Sequence, residues 1–71
     1  MEENKELEFE KLLYVYLRDK GIEKDAVISI MLELSHNGNK YEELYNWLSE
    51  NDKATEEEIF EQLLVIVGKA D

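Results

Sequence analysis

Acid–base or nucleophilic chemistry in this chain would depend on one histidine, a few hydroxyls and many carboxylates. His36 follows Ser35, but a serine nucleophile needs a base within hydrogen-bond reach, and adjacent residues at a helix end point in different directions. Glu57 and Glu61 lie one helical turn apart on a face predicted to be solvated, whereas a general acid needs a desolvated carboxyl group. The sequence therefore predicts no catalytic residue and a protein that is not an enzyme.

The sequence also lacks the residue patterns that are typical of metal and cofactor sites. Without cysteine the chain forms no thiolate zinc site, and it has no Glu-x-x-His motif for a di-metal helical bundle. In the polar stretch that begins at Asn51, Lys53 and Thr55 stand where a calcium loop needs acidic or amide ligands. Each glycine stands alone, so no phosphate cradle is predicted, and no Asp-Ser-Leu motif marks a carrier protein. We expect no metal and no cofactor.

Helices must position any site in this chain. Proline is absent, glycine is scarce, and apolar residues recur with a period of about 3.6. This pattern predicts one compact all-α domain over residues 1–71, built from four helices at about 5–20, 24–35, 40–50 and 56–67. A chain this short holds one core and is only modestly stable.

Local signals mark where these helices begin and end. Gly21 is predicted to be a left-handed cap of the first helix, with Ile22 packing back onto its last turn. Asn39 is predicted to cap the third helix. Thr55 and Glu58 form the pattern of a capping box, which opens the fourth helix.

The apolar residues also predict which helix faces are buried. Leu12 is assigned to the inward face of the first helix, together with Leu13. In the second helix, Ile28 and Leu32 widen the apolar arc, which is typical of a central helix packed against two or more neighbours.

The net charge of −10 indicates which partners to exclude. Such a charge opposes binding to nucleic acid or to an anionic membrane. No apolar run approaches the roughly 20 residues of a membrane span, and the first residues lack a secretory signal pattern, so the expected compartment is the cytoplasm. Solubility alone would explain the charge. The alternative is an acidic inhibitor or nucleic-acid mimic that occupies a basic groove on another protein through Glu56, Glu57 and Glu61.

A second group of candidate partner-binding residues consists of apolar side chains that do not fit the inward stripes. These side chains either complete the small core or form an exposed interface patch, and aromatic anchors are typical of interface hot spots. The patch hypothesis predicts a non-enzymatic protein-binding module, with an unknown protein partner or a homodimer formed through the fourth helix or the outer face of the first. The residues are Leu7, Tyr14, Trp47, Leu64 and Val65.

Three dipeptides occur in order along the chain: Gly21-Ile22, Gly38-Asn39 and Trp47-Leu48. They resemble the loop, turn and helix end of ubiquitin-associated three-helix domains, although Lys20 replaces the methionine of that loop and a fourth helix follows. The resemblance implies a compact helical binding module, and it does not imply ubiquitin as the ligand.

Segments 25–32 and 54–59 carry a second resemblance, in the runs Asp-Ala-Val-Ile-Ser-Ile-Met-Leu and Ala-Thr-Glu-Glu-Glu-Ile. They are similar to small acidic helical proteins of unknown function from phages and mobile elements of low-GC Gram-positive bacteria. This similarity implies a small accessory or regulatory protein and assigns no functional residue.

Overall fold

Four α-helices form the whole of the regular structure in the computed structural model, which describes residues 5–68 and places side chains from Glu8 onward. Each helix begins and ends within one residue of the position that the sequence pattern predicts, so the prediction of an all-α four-helix domain is confirmed. The helices are α1 (Lys5–Asp19), α2 (Lys24–His36), α3 (Tyr41–Glu50) and α4 (Glu56–Ile66).

Helices α2 and α3 form the centre of the domain. Each of them contacts all three other helices, whereas α1 and α4 do not approach each other within the described chain. The contact between α1 and α3 is the most extensive. The predicted central position of α2 is therefore confirmed, and α3 shares it.

The core consists of aliphatic side chains and one tyrosine, and no polar or charged residue within the described range 8–68 is buried. Burial of a leucine or isoleucine side chain contributes about 1.5–3 kcal/mol, and this term must stabilise a chain that has no disulfide. The buried residues are Leu13, Leu17, Ile22, Val27, Ile30, Met31, Leu34, Tyr41, Leu44, Leu48, Ile59 and Leu63.

Three side chains that the sequence assigned to apolar packing faces are exposed, so this part of the prediction was wrong. Leu12 is 47% exposed, Ile28 40% and Leu32 53%. Leu12 precedes buried Leu13 and Ile28 follows buried Val27, so each points about 100° around the helix from its buried neighbour. The neighbouring helices therefore cover a narrower arc of α1 and α2 than the apolar residues of these helices span.

The end of α1 has the geometry that its sequence predicts. Gly21 adopts a φ of 93°, a left-handed conformation that glycine reaches without steric cost. Its N–H donates to the Arg18 carbonyl at 2.9 Å, and the N–H of Ile22 donates to the Leu17 carbonyl at 3.3 Å. These two bonds define a Schellman motif, and Ile22 is buried against the core, so both predictions for this turn are confirmed.

The start of α3 differs from the prediction. Asn39 does not cap the helix; it adopts a φ of 54° directly after Gly38, whose φ is 95°. The N-cap position belongs to Lys40, whose side chain makes no capping hydrogen bond. Asparagine is among the few non-glycine residues that tolerate the left-handed region. Its role here is to complete a left-handed turn, which the sequence reading mistook for a cap.

The start of α4 is the predicted capping box. The Glu58 N–H donates to Thr55 Oγ1 at 3.2 Å, and the Thr55 N–H donates to Glu58 Oε1 at 2.9 Å. Two N–H groups that have no partner inside the helix are satisfied in this way. The same pair also holds the Glu58 side chain in one orientation.

Replacement of Thr55 by alanine is expected to lower the free energy of unfolding by about 1 kcal/mol, because an orphan backbone donor loses its acceptor. Urea denaturation followed by circular dichroism measures this change. Thr55→Ser keeps a hydroxyl at the same place and is the matched control, with an unfolding free energy within about 0.5 kcal/mol of the parent. Equal losses in the two variants would contradict the role of the hydroxyl.

Candidate partner-binding groove

A groove lies between the C-terminal end of α3, the connector that follows it and one face of α4. Its volume is about 580 Å³, which is within the range of about 300–1,000 Å³ that is usual for ligand pockets. It is open to solvent along one side. The lining residues are Trp47, Glu50, Asn51, Asp52, Lys53, Ala54, Glu58, Glu61, Gln62 and Val65.

The apolar part of the groove consists of Trp47 on α3, Val65 on α4 and Ala54 in the connector. Trp47 is half-buried and packs against the core, while it also lines the groove. Val65 is 57% exposed. An indole fixed by the core and an uncovered valine therefore present apolar surface in the same groove, without a covering element in the described chain.

Carboxylates dominate the polar part of the groove. Four of its lining residues are acidic, Glu50, Asp52, Glu58 and Glu61, and one is basic, Lys53. A second cation, Lys20 Nζ, lies 2.7 Å from the Asp52 carbonyl oxygen. The C-terminal half of the chain is also the more acidic one, because residues 37–71 contain nine acidic and three basic residues, while residues 1–36 contain nine and five. The groove thus lies in the more acidic half and attracts cationic groups.

The α4 side of the groove follows directly from helical periodicity. Glu58, Glu61, Gln62 and Val65 are spaced i, i+3, i+4 and i+7, so they lie on one face of the helix. Glu58 is held at the beginning of this stripe by its bond to the Thr55 N–H. The local signal that starts α4 therefore also orients a groove carboxylate.

Contacts from α1 hold the connector in place. Lys20 Nζ donates to the Asp52 carbonyl at 2.7 Å and lies 5.8 Å from the centroid of the Tyr16 ring. The Tyr16 hydroxyl donates to the Leu48 carbonyl at 3.2 Å, and its ring packs edge-on against Tyr45 at 6.0 Å. These two hydrogen bonds join residues that are 32 positions apart in the sequence. They hold α3 and the connector against the C-terminal end of α1, although no α1 residue lines the groove.

The environment of Tyr16 changes its acidity. Burial against α3 is the main cause that raises the pKa of its hydroxyl above 10.0, and the charge of Asp52 and the neighbouring Tyr45 add to it. The folded pKa is higher than the unfolded one, so the stabilisation is complete below pH 10 and is lost as the pH rises through the folded value.

Tyr16→Phe is expected to reduce the loss of stability that the protein shows above pH 10, since one group with a raised pKa is removed. At neutral pH the variant should lose only about 0.5–1.5 kcal/mol, because the Leu48 carbonyl keeps a second donor, the Asn51 N–H at 3.0 Å. Urea midpoints measured from pH 7 to pH 11 test both statements. Parallel pH profiles for the two proteins would contradict the alkaline effect.

The structure brings together some of the residues that the sequence singled out and separates the others. Trp47, Val65 and Glu61 line one groove. Glu56 and Glu57 are exposed in the first turn of α4, outside the groove lining. The sequence analysis missed Glu50, Asp52 and Glu58 as groove residues, and the helical spacing of Glu58, Glu61 and Val65 was the signal that could have found one of them.

The remaining candidate residues lie elsewhere. Leu64 is exposed but is not part of the groove lining. Tyr14 is half-buried and packs against the core. Of the two alternatives for the surplus apolar residues, completion of the core or an exposed patch, Tyr14 therefore fits the first. Leu7 belongs to α1, and its side chain lies outside the described part of the structure.

Other kinds of site have no basis in the described part of the chain. His36 is exposed, and no three metal-binding side chains among the described residues come together around a common point. None of the described helices has the length and apolar character that would let it cross a membrane. No family model, no curated protein and no solved structure matches the chain. The fold and this groove therefore define it as an all-α four-helix domain with a mixed apolar and acidic groove.

Proposed function

We propose that this protein is a non-enzymatic protein-binding module, acting in the cytoplasm, that holds a segment of another protein in the groove between α3 and α4. The observation that carries the proposal is the combination of Trp47 and Val65 in a groove bordered by carboxylates. A fixed aromatic side chain surrounded by polar groups is typical of the hot spots of protein interfaces.

The exposure of the groove carboxylates favours binding over catalysis. Glu50, Glu58 and Glu61 are all exposed, so water solvates their charged forms. A general acid or base at neutral pH needs a desolvated carboxyl group. Exposed carboxylates are instead suited to the polar rim of an interface.

Selection of peptides from a random library tests this proposal without knowledge of the natural partner. Peptides selected on the intact chain are expected to bind Val65→Gln about fivefold more weakly or worse, since burial of the 57% of Val65 that is exposed contributes about 1 kcal/mol or more. The matched control is Val15→Gln on α1, because Val15 and Val65 are 56% and 57% exposed. Trp47 is the only tryptophan of the chain, so its fluorescence reports occupation of the groove.

Two outcomes would contradict the proposed site. Selected peptides that lose as much affinity for Val15→Gln as for Val65→Gln would show binding that does not depend on the groove. A library of adequate diversity that yields no specific peptide would likewise count against a peptide-binding groove. Circular dichroism spectra of both variants must match that of the parent.

An acidic inhibitor or nucleic-acid mimic is the second candidate function, and the excess of carboxylates in residues 37–68 favours it. In this case the whole acidic half would enter a basic groove on a partner, with Glu56 and Glu57 among the contacts. Binding would then weaken steeply with salt, because the charges are exposed, and it would be insensitive to Val65→Gln. The salt dependence of binding and the effect of Val65→Gln, both measured on one complex, therefore distinguish the acidic mimic from the peptide-binding module.

Self-association stays a prediction with a clear test. Among the α1 side chains from Glu8 onward, the exposed large apolar ones are Leu12 and Val15, so Val15→Glu probes this face, whereas Tyr14→Glu would disturb the core. A homodimer through the outer face of α1 should dissociate in Val15→Glu, and one through α4 in Val65→Glu. Mass measured in solution decides between them, and a monomer in the parent protein would exclude both.

A further inference from the structure

We infer that the occupant of the groove between α3 and α4 is a basic peptide segment that places an arginine beside Trp47 and Glu61 and an apolar side chain on Val65. This inference rests on the proposed function and adds the chemical class of the partner. Charge complementarity is the first argument for it, because four acidic residues and one lysine line the groove, while the further cation Lys20 lies at the connector on the Asp52 carbonyl.

The combination of an indole with carboxylates favours arginine over lysine. A guanidinium group is planar, stacks on aromatic faces, and presents N–H donors in a fork that matches a carboxylate. Trp47 supplies the aromatic surface, and Glu61 supplies a carboxylate in the same groove. A lysine ammonium is a compact and strongly hydrated charge, so it gains less from the indole.

The direction of the two helices orders the groove from end to end. Because α3 leads into the connector and α4 leads out of it, Val65 lies away from the connector, Asp52 and Lys53 lie at it, and Trp47 lies one helical turn before it, with its carbonyl accepting from Asn51 Nδ2. The positive charge of Lys53 disfavours a second cation at the connector end. The preferred position for arginine is therefore beside Glu61, with an apolar neighbour in the bound segment against Val65.

The groove volume indicates how much of a partner it holds. A space of about 580 Å³ corresponds to a drug-sized ligand, so a peptide of three or four residues is a sufficient probe. We choose the capped tripeptide Arg-Leu-Arg. Its counterpart with citrulline in place of both arginines keeps the shape of the side chains and removes their charge. The peptide Lys-Leu-Lys keeps the charge and lacks the forked pair of N–H donors of a guanidinium group.

Titration of the intact chain with these three peptides tests the inference, with Trp47 fluorescence and calorimetry as readouts. The arginine peptide is expected to bind at least about tenfold more tightly than the citrulline peptide and about threefold more tightly than the lysine peptide. Glu61→Gln should weaken binding of the arginine peptide about fivefold. Glu42→Gln, with the same charge change at an exposed α3 residue outside the groove, should weaken it less than about twofold.

Equal affinity for the arginine and citrulline peptides would overturn the inference, as would equal effects of Glu61→Gln and Glu42→Gln. Absence of binding at millimolar peptide would overturn it too. The failure of this inference can be distinguished from the failure of the proposed function. If the peptides selected from the random library depend on Val65 but carry no arginine, the inference is contradicted and the proposed binding module is not.

Discussion

Leu44→Ala is expected to lower the free energy of unfolding by about 3–4 kcal/mol, the usual cost of truncating a fully buried leucine. Leu44 is completely buried in α3, one of the two helices that contact every other helix. A domain of this length has a total stability of only about 4–10 kcal/mol. The variant should therefore lose between about a third and nearly all of its stability, as urea or thermal denaturation followed by circular dichroism will measure.

Leu32→Ala is the matched control for this experiment, because Leu32 is a helical leucine that is 53% exposed. Its truncation removes little buried surface, and alanine has a slightly better helix propensity. A change within about 1 kcal/mol is expected. A loss as large as that of Leu44→Ala would mean that Leu32 is covered in solution, and measurement of the molecular mass would then identify a second copy as the cover.

The double variant Glu50→Lys with Glu61→Lys is expected to reduce affinity for the arginine peptide about tenfold or more. Each substitution replaces an attraction by a repulsion, and two such changes at exposed sites amount to about 1–2 kcal/mol. The same variant should gain affinity for an acidic tripeptide, Glu-Leu-Glu. Calorimetry with both peptides measures the exchange of preference.

The control for this reversal is Glu8→Lys with Glu42→Lys, two exposed positions on α1 and α3 that lie outside the groove. Both double variants change the net charge of −10 by the same amount, so only the location of the charges differs. A loss of no more than a few-fold is expected for the control at physiological salt, where charges beyond about 8 Å are screened. Equal losses in the two variants would favour long-range attraction by the whole acidic surface, as in the second candidate function.

Local sequence signals predicted the helices and their ends well, but they did not predict the contacts between residues that are distant in sequence. The Thr55 and Glu58 box and the Gly21 turn are encoded within a few residues, so both were predicted and confirmed. The turn at Asn39 was misread because asparagine serves equally as an N-cap and as a left-handed residue. Only the backbone geometry distinguishes these two roles.

The candidate site was predicted in part. Trp47, Val65 and Glu61 were singled out as a surplus aromatic, a surplus valine and an exposed acid, and the structure places them in one groove. No sequence rule indicated that they belong together, since Trp47 and Val65 lie on different helices. Support of the connector by Lys20 joins residues 32 positions apart, and no local pattern predicts such a pair.

The sequence by itself determined four helices, their ends within a residue, and a strongly acidic surface, because helix periodicity, caps and charge depend on near neighbours or on composition alone. Only the tertiary structure decided which apolar residues stay exposed and which acids share a groove with Trp47. These outcomes depend on the order and angles at which helices pack, and α1, α2 and α4 each have large apolar residues that their neighbours leave exposed. The choice of the covered face is a property of the whole assembly of helices.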